Sequence, residues 1–323
     1  TGGTIACTQT DKGLLPTLKG EDLLARVRDT LPCRTSARDV FLLDSSNIQP
    51  EEWSALALAV DEALQTSDGV VITHGTDTMA YTAAALSYML CGVSKPVILT
   101  GSQLPIGHPL TDARQNLRRA ILAATQGVAG VYVLFDERII SGVRAVKTHT
   151  TRMDAFASVN APQAGHIDSE GIHFTHPMPP APLPYTPRAA LDARVLLLKL
   201  TPGLSPEVLR FVGQAGYRGL VIEAFGLGGL HYIRRNLVEG LRALAQGGVR
   251  VLVVSQCLYE KADLTVYEVG RELSGGVIRS GRDMTTEAAV TKLMWALGQK
   301  DPDALLNTCL CGEYSEREEE REG

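Results

Sequence analysis

Val70-Val-Ile-Thr-His-Gly-Thr-Asp-Thr-Met-Ala-Tyr-Thr-Ala-Ala-Ala-Leu-Ser-Tyr-Met-Leu90 sets how the rest of the chain is read. The β-branched run Val70–Thr73, bounded by Asp68-Gly69 and Gly75, predicts a buried strand. Met79–Leu90 is rich in Ala, Leu and Met and predicts a helix. Only His74, Gly75, Thr76, Asp77 and Thr78 connect the two. Hydroxyls and a carboxylate therefore fall on a tight strand-to-helix turn, where open α/β sheets bind their ligands and where a helix N-terminus favours negative charge. The plainer reading of Asp77 or Thr78 is a helix cap, which every helix needs.

Working outward, the pattern repeats. Upstream, Thr1-Gly-Gly-Thr-Ile-Ala6 is a small-residue loop that lacks both the P-loop and the dinucleotide signatures, and residues 7–19 read as a surface loop that would serve as a lid. A helix is expected over 21–31 and a short strand over 40–43, ending in the polar cluster Asp44-Ser-Ser-Asn47. An amphipathic helix then follows from Pro50 to Leu64. Downstream, Pro96–Thr100 and Gly130–Phe135 are apolar strands, and a helix spans 111–124 with Asp112 and Asn116 on one face. Residues 138–141 read as a hairpin connection and 143–147 as a short strand carrying Lys147. Alternating strands and helices indicate a doubly wound, mainly parallel sheet.

Residues 176–190 hold six prolines and fit neither a helix nor a central strand. They mark a boundary: an N-terminal α/β domain over 1–178, a Pro-rich linker over 179–191, and a smaller C-terminal α/β domain over 192–323. The second half carries expected strands at 194–200, 219–223 and 249–255. Its expected helices start near Ser205, at 235 and at Thr285 or Thr286, and the tail 316–323 is charged. At 323 residues, two domains also follow from length at ~150 residues per domain.

Composition narrows the function classes. With 45% apolar and 21% charged residues, this is an ordinary globular chain. A net charge of −5 gives no nucleic-acid footprint, and no apolar run reaches the ~18 residues of a membrane span. The six cysteines are sparse and lie mostly in apolar sequence, as free thiols of a reducing compartment do, so a cytoplasmic location is expected. Cys309-Leu-Cys311 has no histidine near it in sequence, and the histidines, His166 and His173 among them, show no metal-ligand spacing. No metal is expected.

Hydroxyls recur at predicted strand ends and turns: Thr4, Ser45, Ser46 and Thr76. A hydroxyl nucleophile needs activation. A Thr-Lys-Asp set built from Thr76, Lys147 and Asp77 would supply it if the fold brings Lys147 close. His74 invites a triad reading, but no G-x-S-x-G elbow is present, and a structural or tautomer-specific histidine fits better.

Thr1–Ala6, Val71–Thr82 and Lys95–Gln103 together resemble the bacterial-type L-asparaginases, most closely the cytoplasmic type I branch. Asp44-Ser-Ser46, Asp154–Asn160, Ser255-Gln-Cys257 and Met284–Ala288 extend the resemblance to about residue 312. It implies hydrolysis of L-asparagine to L-aspartate and ammonia through a covalent acyl-enzyme, without a metal or organic cofactor. Thr4 would match the nucleophile, Thr76, Asp77 and Lys147 the second catalytic group, and Asp44, Ser45 and Ser46, with Thr76 and Asp77, the substrate grip. It implies a homodimer or homotetramer, a small-molecule partner, and no nucleic acid or membrane.

Two departures stand out. The family's mobile loop often carries a tyrosine, and here the matching position is Leu14; Tyr267 is the candidate replacement. Val146 stands where some type I enzymes carry an allosteric threonine, although Cys257 is retained, so little asparagine cooperativity is expected. Alternatives are the amidase subunit of a tRNA-dependent amidotransferase and an asparagine-binding protein with weakened catalysis.

Overall fold

The computed structural model describes residues 1–11, 13–266 and 278–315. The chain divides into two compact units, Thr1–Ala189 and Ala190–Gly323.

The first unit opens with a 3-10 turn, Thr4–Ala6, then strands β1 (Cys7–Thr10) and β2 (Gly13–Pro16). These pair antiparallel, with Gln9 opposite Leu14, so the expected loop over 7–19 is largely a hairpin. Helix α1 (Gly20–Ala25) is shorter than expected: the chain leaves helical geometry at Val27, with φ −131° and ψ −12°, and tightens into a 3-10 turn at Arg28–Thr30. No strand forms over 40–43. Its only ladder contact is a parallel bridge between Gly2 and Leu43, because the partner segment turns into the Thr4–Ala6 3-10 helix directly after Gly3.

Helix α2 (Pro50–Leu64) starts on a proline, whose missing N–H costs nothing in the first turn. Strand β3 (Val70–Thr73), helix α3 (Met79–Met89), strand β4 (Pro96–Thr100), helix α4 (Ala113–Ala124) and strand β5 (Gly130–Phe135) follow in order. Helix α4 begins two residues later than expected because the Thr111 hydroxyl accepts the Ala113 N–H. Strands β3, β4 and β5 run parallel, with Ile72 opposite Leu99 and Leu99 opposite Val133. Every residue of β4 and β5 is buried, as two covered faces require. Val71, Ile98, Tyr132 and Leu134 form one face with Ala120 and Ala123 of α4.

The chain then reverses at Asp136-Glu137, where Asp136 takes φ 57°. Residues 138–141 are therefore a strand, β6 (Arg138–Ser141), antiparallel to β5, and the connection lies before them. Strands β7 (Ala145–Lys147) and β8 (Phe156–Ser158) make a separate antiparallel pair. Strands β9 (Gly165–Ile167) and β10 (Ile172–Phe174) complete a six-stranded mixed sheet of order β10-β9-β6-β5-β4-β3.

In the second unit, β11 (Val195–Lys199), β12 (Gly219–Ala224), β13 (Arg250–Ser255) and β14 (Ile278–Ser280) form a wholly parallel sheet. Helices α5 (Glu207–Gln214) and α6 (Val238–Gln246) pack Leu209, Val212, Leu241 and Leu244 onto it. Helix α6 starts at Val238 rather than 235, since Arg235 lies in left-handed backbone at φ 52°. Helices α7 (Thr286–Leu297) and α8 (Pro302–Asn307) close the unit. Thr285 caps α7, its hydroxyl accepting the Ala288 N–H at 3.1 Å. The architecture is α/β throughout, with the larger mixed sheet first and the smaller parallel sheet second. Among the described residues, no helix is long and apolar enough to cross a membrane.

Candidate active site

Three loops converge beyond the carboxyl end of β3. Glycines set their spacing. A Cβ on Gly3 would lie 2.2 Å from the Gly75 nitrogen, and one on Gly75 would lie 2.6 Å from Ser45 Cβ and Oγ. No larger residue permits this approach. The loop holding Thr4, the turn holding Thr76 and the turn holding Ser45 are thus in direct contact through their backbones. Further ties hold them. The Gly3 N–H donates to the Leu43 carbonyl at 2.9 Å, and the Thr78 hydroxyl donates to the Ser45 carbonyl at 2.8 Å.

Lys147 reaches this cluster from β7. Its Nζ donates to Thr76 Oγ1 at 2.7 Å and to Asp77 Oδ1 at 2.6 Å. The pairing of Lys147 with Phe156 across β7 and β8 fixes the strand that carries it. Phe156 in turn packs on Phe135 of β5, with ring centroids 5.0 Å apart. Lys147 is 15% exposed and Asp77 65%, so the cation is sheltered while its carboxylate partner faces solvent. Lys147 is thus not the free surface lysine that its type alone suggests.

The cap reading of Asp77 and Thr78 is overturned. Thr78 stands at the N-cap position of α3 without a side-chain cap hydrogen bond, and both side chains are engaged elsewhere, Thr78 by Ser45 and Asp77 by Lys147. The helix N-terminus therefore keeps backbone donors beside Thr76 and Asp77.

Asp44 Oδ1 accepts from the Ser46 N–H at 2.8 Å and from the Ser46 hydroxyl at 2.6 Å. These two bonds hold the Asp44 carboxyl below the usual carboxylate range, against the upward push of its partial burial. Ser45 is buried. Thr4 is partly exposed, and its hydroxyl forms no hydrogen bond among the described residues. Leu14, on the β1–β2 hairpin, is half exposed. Tyr267 lies outside the described residues.

His74 takes a structural role. It is fully buried; its Nδ1 donates to the Gly75 carbonyl at 2.7 Å and its Nε2 accepts from Thr82 Oγ1 at 2.9 Å. Thr82 in turn accepts the Trp53 indole N–H at 3.0 Å. Burial lowers the His74 pKa to about 4, so the ring is neutral and a single tautomer serves all three bonds. A general-base role would require a free nitrogen, and neither is free. Sequence reading missed this chain and the Thr78 link; a hydroxyl at Thr82, eight residues after His74 in a mostly apolar stretch, was the visible signal.

The loop after β4 is ordered by Asp112 and Asn116. Asp112 accepts the N–H groups of Gln103 and Leu104, and Asn116 Nδ2 donates to the Gly101 carbonyl at 3.0 Å. All six cysteines are free thiols. Cys309 is held by Glu313 and the Tyr314 carbonyl, and burial raises its pKa to about 11, which opposes the thiolate a metal would need.

Comparisons with known proteins bear on this site. The family model described as "Asparaginase, N-terminal" matches residues 1–180, and that of the "Glutaminase/Asparaginase C-terminal domain" matches residues 194–309. An L-asparaginase of Thermococcus kodakarensis is 45% identical over 92% of this chain and 91% of its own length. The solved structure of the thermostable L-asparaginase from that organism superposes with a TM-score of 0.92, covering 98% of both chains at 40% identity. L-asparaginase I from Vibrio cholerae superposes with a TM-score of 0.86 at 30% identity, covering 98% of this chain and 97% of its own. A glutamyl-tRNA(Gln) amidotransferase component of Archaeoglobus fulgidus is 37% identical over 92% of this chain and 73% of its own length.

Proposed function

The chain belongs to the asparaginase family, and from that premise we propose that it hydrolyses L-asparagine to L-aspartate and ammonia with Thr4 as nucleophile. The observation that carries the proposal is Lys147 Nζ bridging Thr76 Oγ1 and Asp77 Oδ1, a contact made although 71 and 70 positions separate the lysine from the two.

The Thr4 hydroxyl attacks the side-chain amide carbon. Its proton passes through Thr76 and Lys147 to the leaving nitrogen, the C–N bond breaks, and ammonia departs, leaving an ester on Thr4. Water then attacks that ester, the C–O bond to Thr4 breaks, and the hydroxyl is restored. Asp77 accepts a Lys147 N–H and holds the amine beside Thr76 during each transfer. Backbone N–H groups at Gly75 and the start of α3 would stabilise the oxyanion. Asp44, Ser45 and Ser46, with Thr76 and Asp77, grip the α-amino and α-carboxylate groups of the substrate. The reaction so written needs no metal or organic cofactor. We place the enzyme in the cytoplasm as a homodimer or homotetramer, with glutamine as a slow second substrate.

A second reading rests on the 37% identity to an amidotransferase component. In it, the same residues release ammonia for transfer rather than for disposal. A third is an asparagine-binding protein with weakened catalysis. Ammonia release from free asparagine, glutamine and buffer separates them, since only the proposed enzyme turns over free asparagine unaided. Thr4→Ala and Thr76→Ala each lower kcat by on the order of 10³ or more, as removal of members of one catalytic unit does. Activity within about tenfold of wild type in both variants would overturn the assignment.

A further inference from the structure

The β9–β10 hairpin brings together three side chains that their sequence spacing leaves apart. His166 and His173 are direct partners across the two antiparallel strands, and their rings stack with centroids 5.1 Å apart. Asp168 sits at the start of the turn between them. Its Oδ1 lies 3.1 Å from His173 Nε2, and its Oδ2 lies 3.5 Å from His166 Nε2. One donor atom from each of the three falls within 4.8 Å of the other two. The spacing His-x-Asp-x4-His matches no helical or knuckle pattern; the strand register is what brings the three side chains together.

We propose that His166, Asp168 and His173 form a binding site for one divalent transition-metal ion, with zinc the ion of choice. Tetrahedral zinc, with bonds of about 2.0–2.2 Å, needs donors roughly 3.4 Å apart; Asp168 Oδ2 already lies 3.5 Å from His166 Nε2, and one donor atom from each of the three residues falls within 4.8 Å of the others. Two imidazoles and one carboxylate select zinc, copper or nickel over calcium and magnesium, which prefer all-oxygen sets. The carboxylate is pre-oriented. Asp168 Oδ1 accepts the N–H groups of Glu170 at 2.8 Å and Gly171 at 3.1 Å, which leaves Oδ2 for the ion.

The side chains are 37–48% exposed, so an ion reaches them from solvent and completes its coordination with water. The hairpin forms one edge of the six-stranded sheet and β3 the other, which sets the ion roughly 20 Å across the sheet from β3 at ~4.8 Å per strand. The ion clamps an edge hairpin and takes no part in amide hydrolysis.

Titration of the metal-free full-length protein with zinc by calorimetry, and with cobalt by visible absorption, tests this. The expected result is one ion per chain and d–d bands of low-symmetry cobalt. His166→Gln and His173→Gln each weaken binding by more than about tenfold, the least that loss of a metal contact costs. His176→Gln, an exposed histidine three residues beyond the site, leaves binding unchanged. Both affected variants keep wild-type circular dichroism and wild-type ammonia release. Wild-type zinc affinity in both His166→Gln and His173→Gln, or a stoichiometry that falls with His176→Gln instead, would overturn the proposal.

Discussion

Replacing Thr82 by valine removes one hydroxyl and nothing else of comparable size. That hydroxyl accepts from Trp53 at 3.0 Å and donates to His74 at 2.9 Å, and all three side chains are buried. The variant strands an indole N–H and an imidazole nitrogen away from water. Each orphan costs about 1–3 kcal/mol, so the N-terminal unit should lose about 2–6 kcal/mol. Urea unfolding followed by Trp53 fluorescence in a Trp295→Phe background reads that unit alone, because the chain has two tryptophans. The midpoint should fall by roughly 1 M with the slope unchanged.

A pH arm isolates His74. Its folded pKa, about 4, lies below the ordinary histidine value of 6.5 because of burial. A depressed pKa gives stability that is fully present above the unfolded value and lost as pH falls through the folded one. The whole shift is worth about 3 kcal/mol, of which about 2 kcal/mol disappears between pH 7.5 and pH 5. His74→Gln keeps a donor and an acceptor but does not titrate, so the stability difference between it and wild type should change by about 2 kcal/mol over that interval. Parallel losses in wild type and His74→Gln, or a Thr82→Val variant as stable as wild type, would refute the reasoning.

Lys147→Met leaves the Thr76 hydroxyl and Asp77 without their shared cation and should lower kcat by ~10²–10⁴ with a smaller change in KM, read by ammonia release. Gly3→Ala places a Cβ against the Gly75 backbone at a residue with φ 80°; thermal unfolding should show a loss of about 2–4 kcal/mol, and turnover should fall with it. Lys292→Met breaks a fully buried ion pair with Glu313, 2.6 Å apart, and should cost the second unit about 3–5 kcal/mol in denaturant titrations. Burial pushes Glu313 up, but Lys292 and the backbone N–H groups of Leu310 and Cys311 hold it below the usual glutamate range. The Lys292→Met deficit should therefore be largest near neutral pH and shrink in acid, where the lone carboxyl is protonated. Tyr267→Phe should lower turnover if that tyrosine replaces the one absent at Leu14; wild-type rates would remove it from the site.

Much of the first unit was legible because the signals were local. Val70–Thr73 and Met79–Met89 declare themselves by β-branching and by Ala and Leu content, and the structure places a strand and a helix there. Val40–Leu43 carries the same apolar signal and forms only one bridge, because pairing depends on a partner that propensity does not see. The hairpin over 7–16 was missed for the converse reason: it has exposed, mixed residues and little alternation.

By itself, then, the sequence determined that Thr76 and Asp77 lie on a strand-to-helix turn, that two glycines precede Thr4, and that prolines interrupt the chain after residue 176. These follow from backbone preferences over a few residues. Tertiary structure decided the contacts. The β7–β8 ladder carries Lys147 to Thr76 and Asp77, glycine-sized gaps press the Thr4 and Ser45 loops onto Gly75, and a two-strand register faces His166 with His173. Each joins groups far apart along the chain through register and close packing, quantities set by the whole sheet and encoded in no single stretch of it.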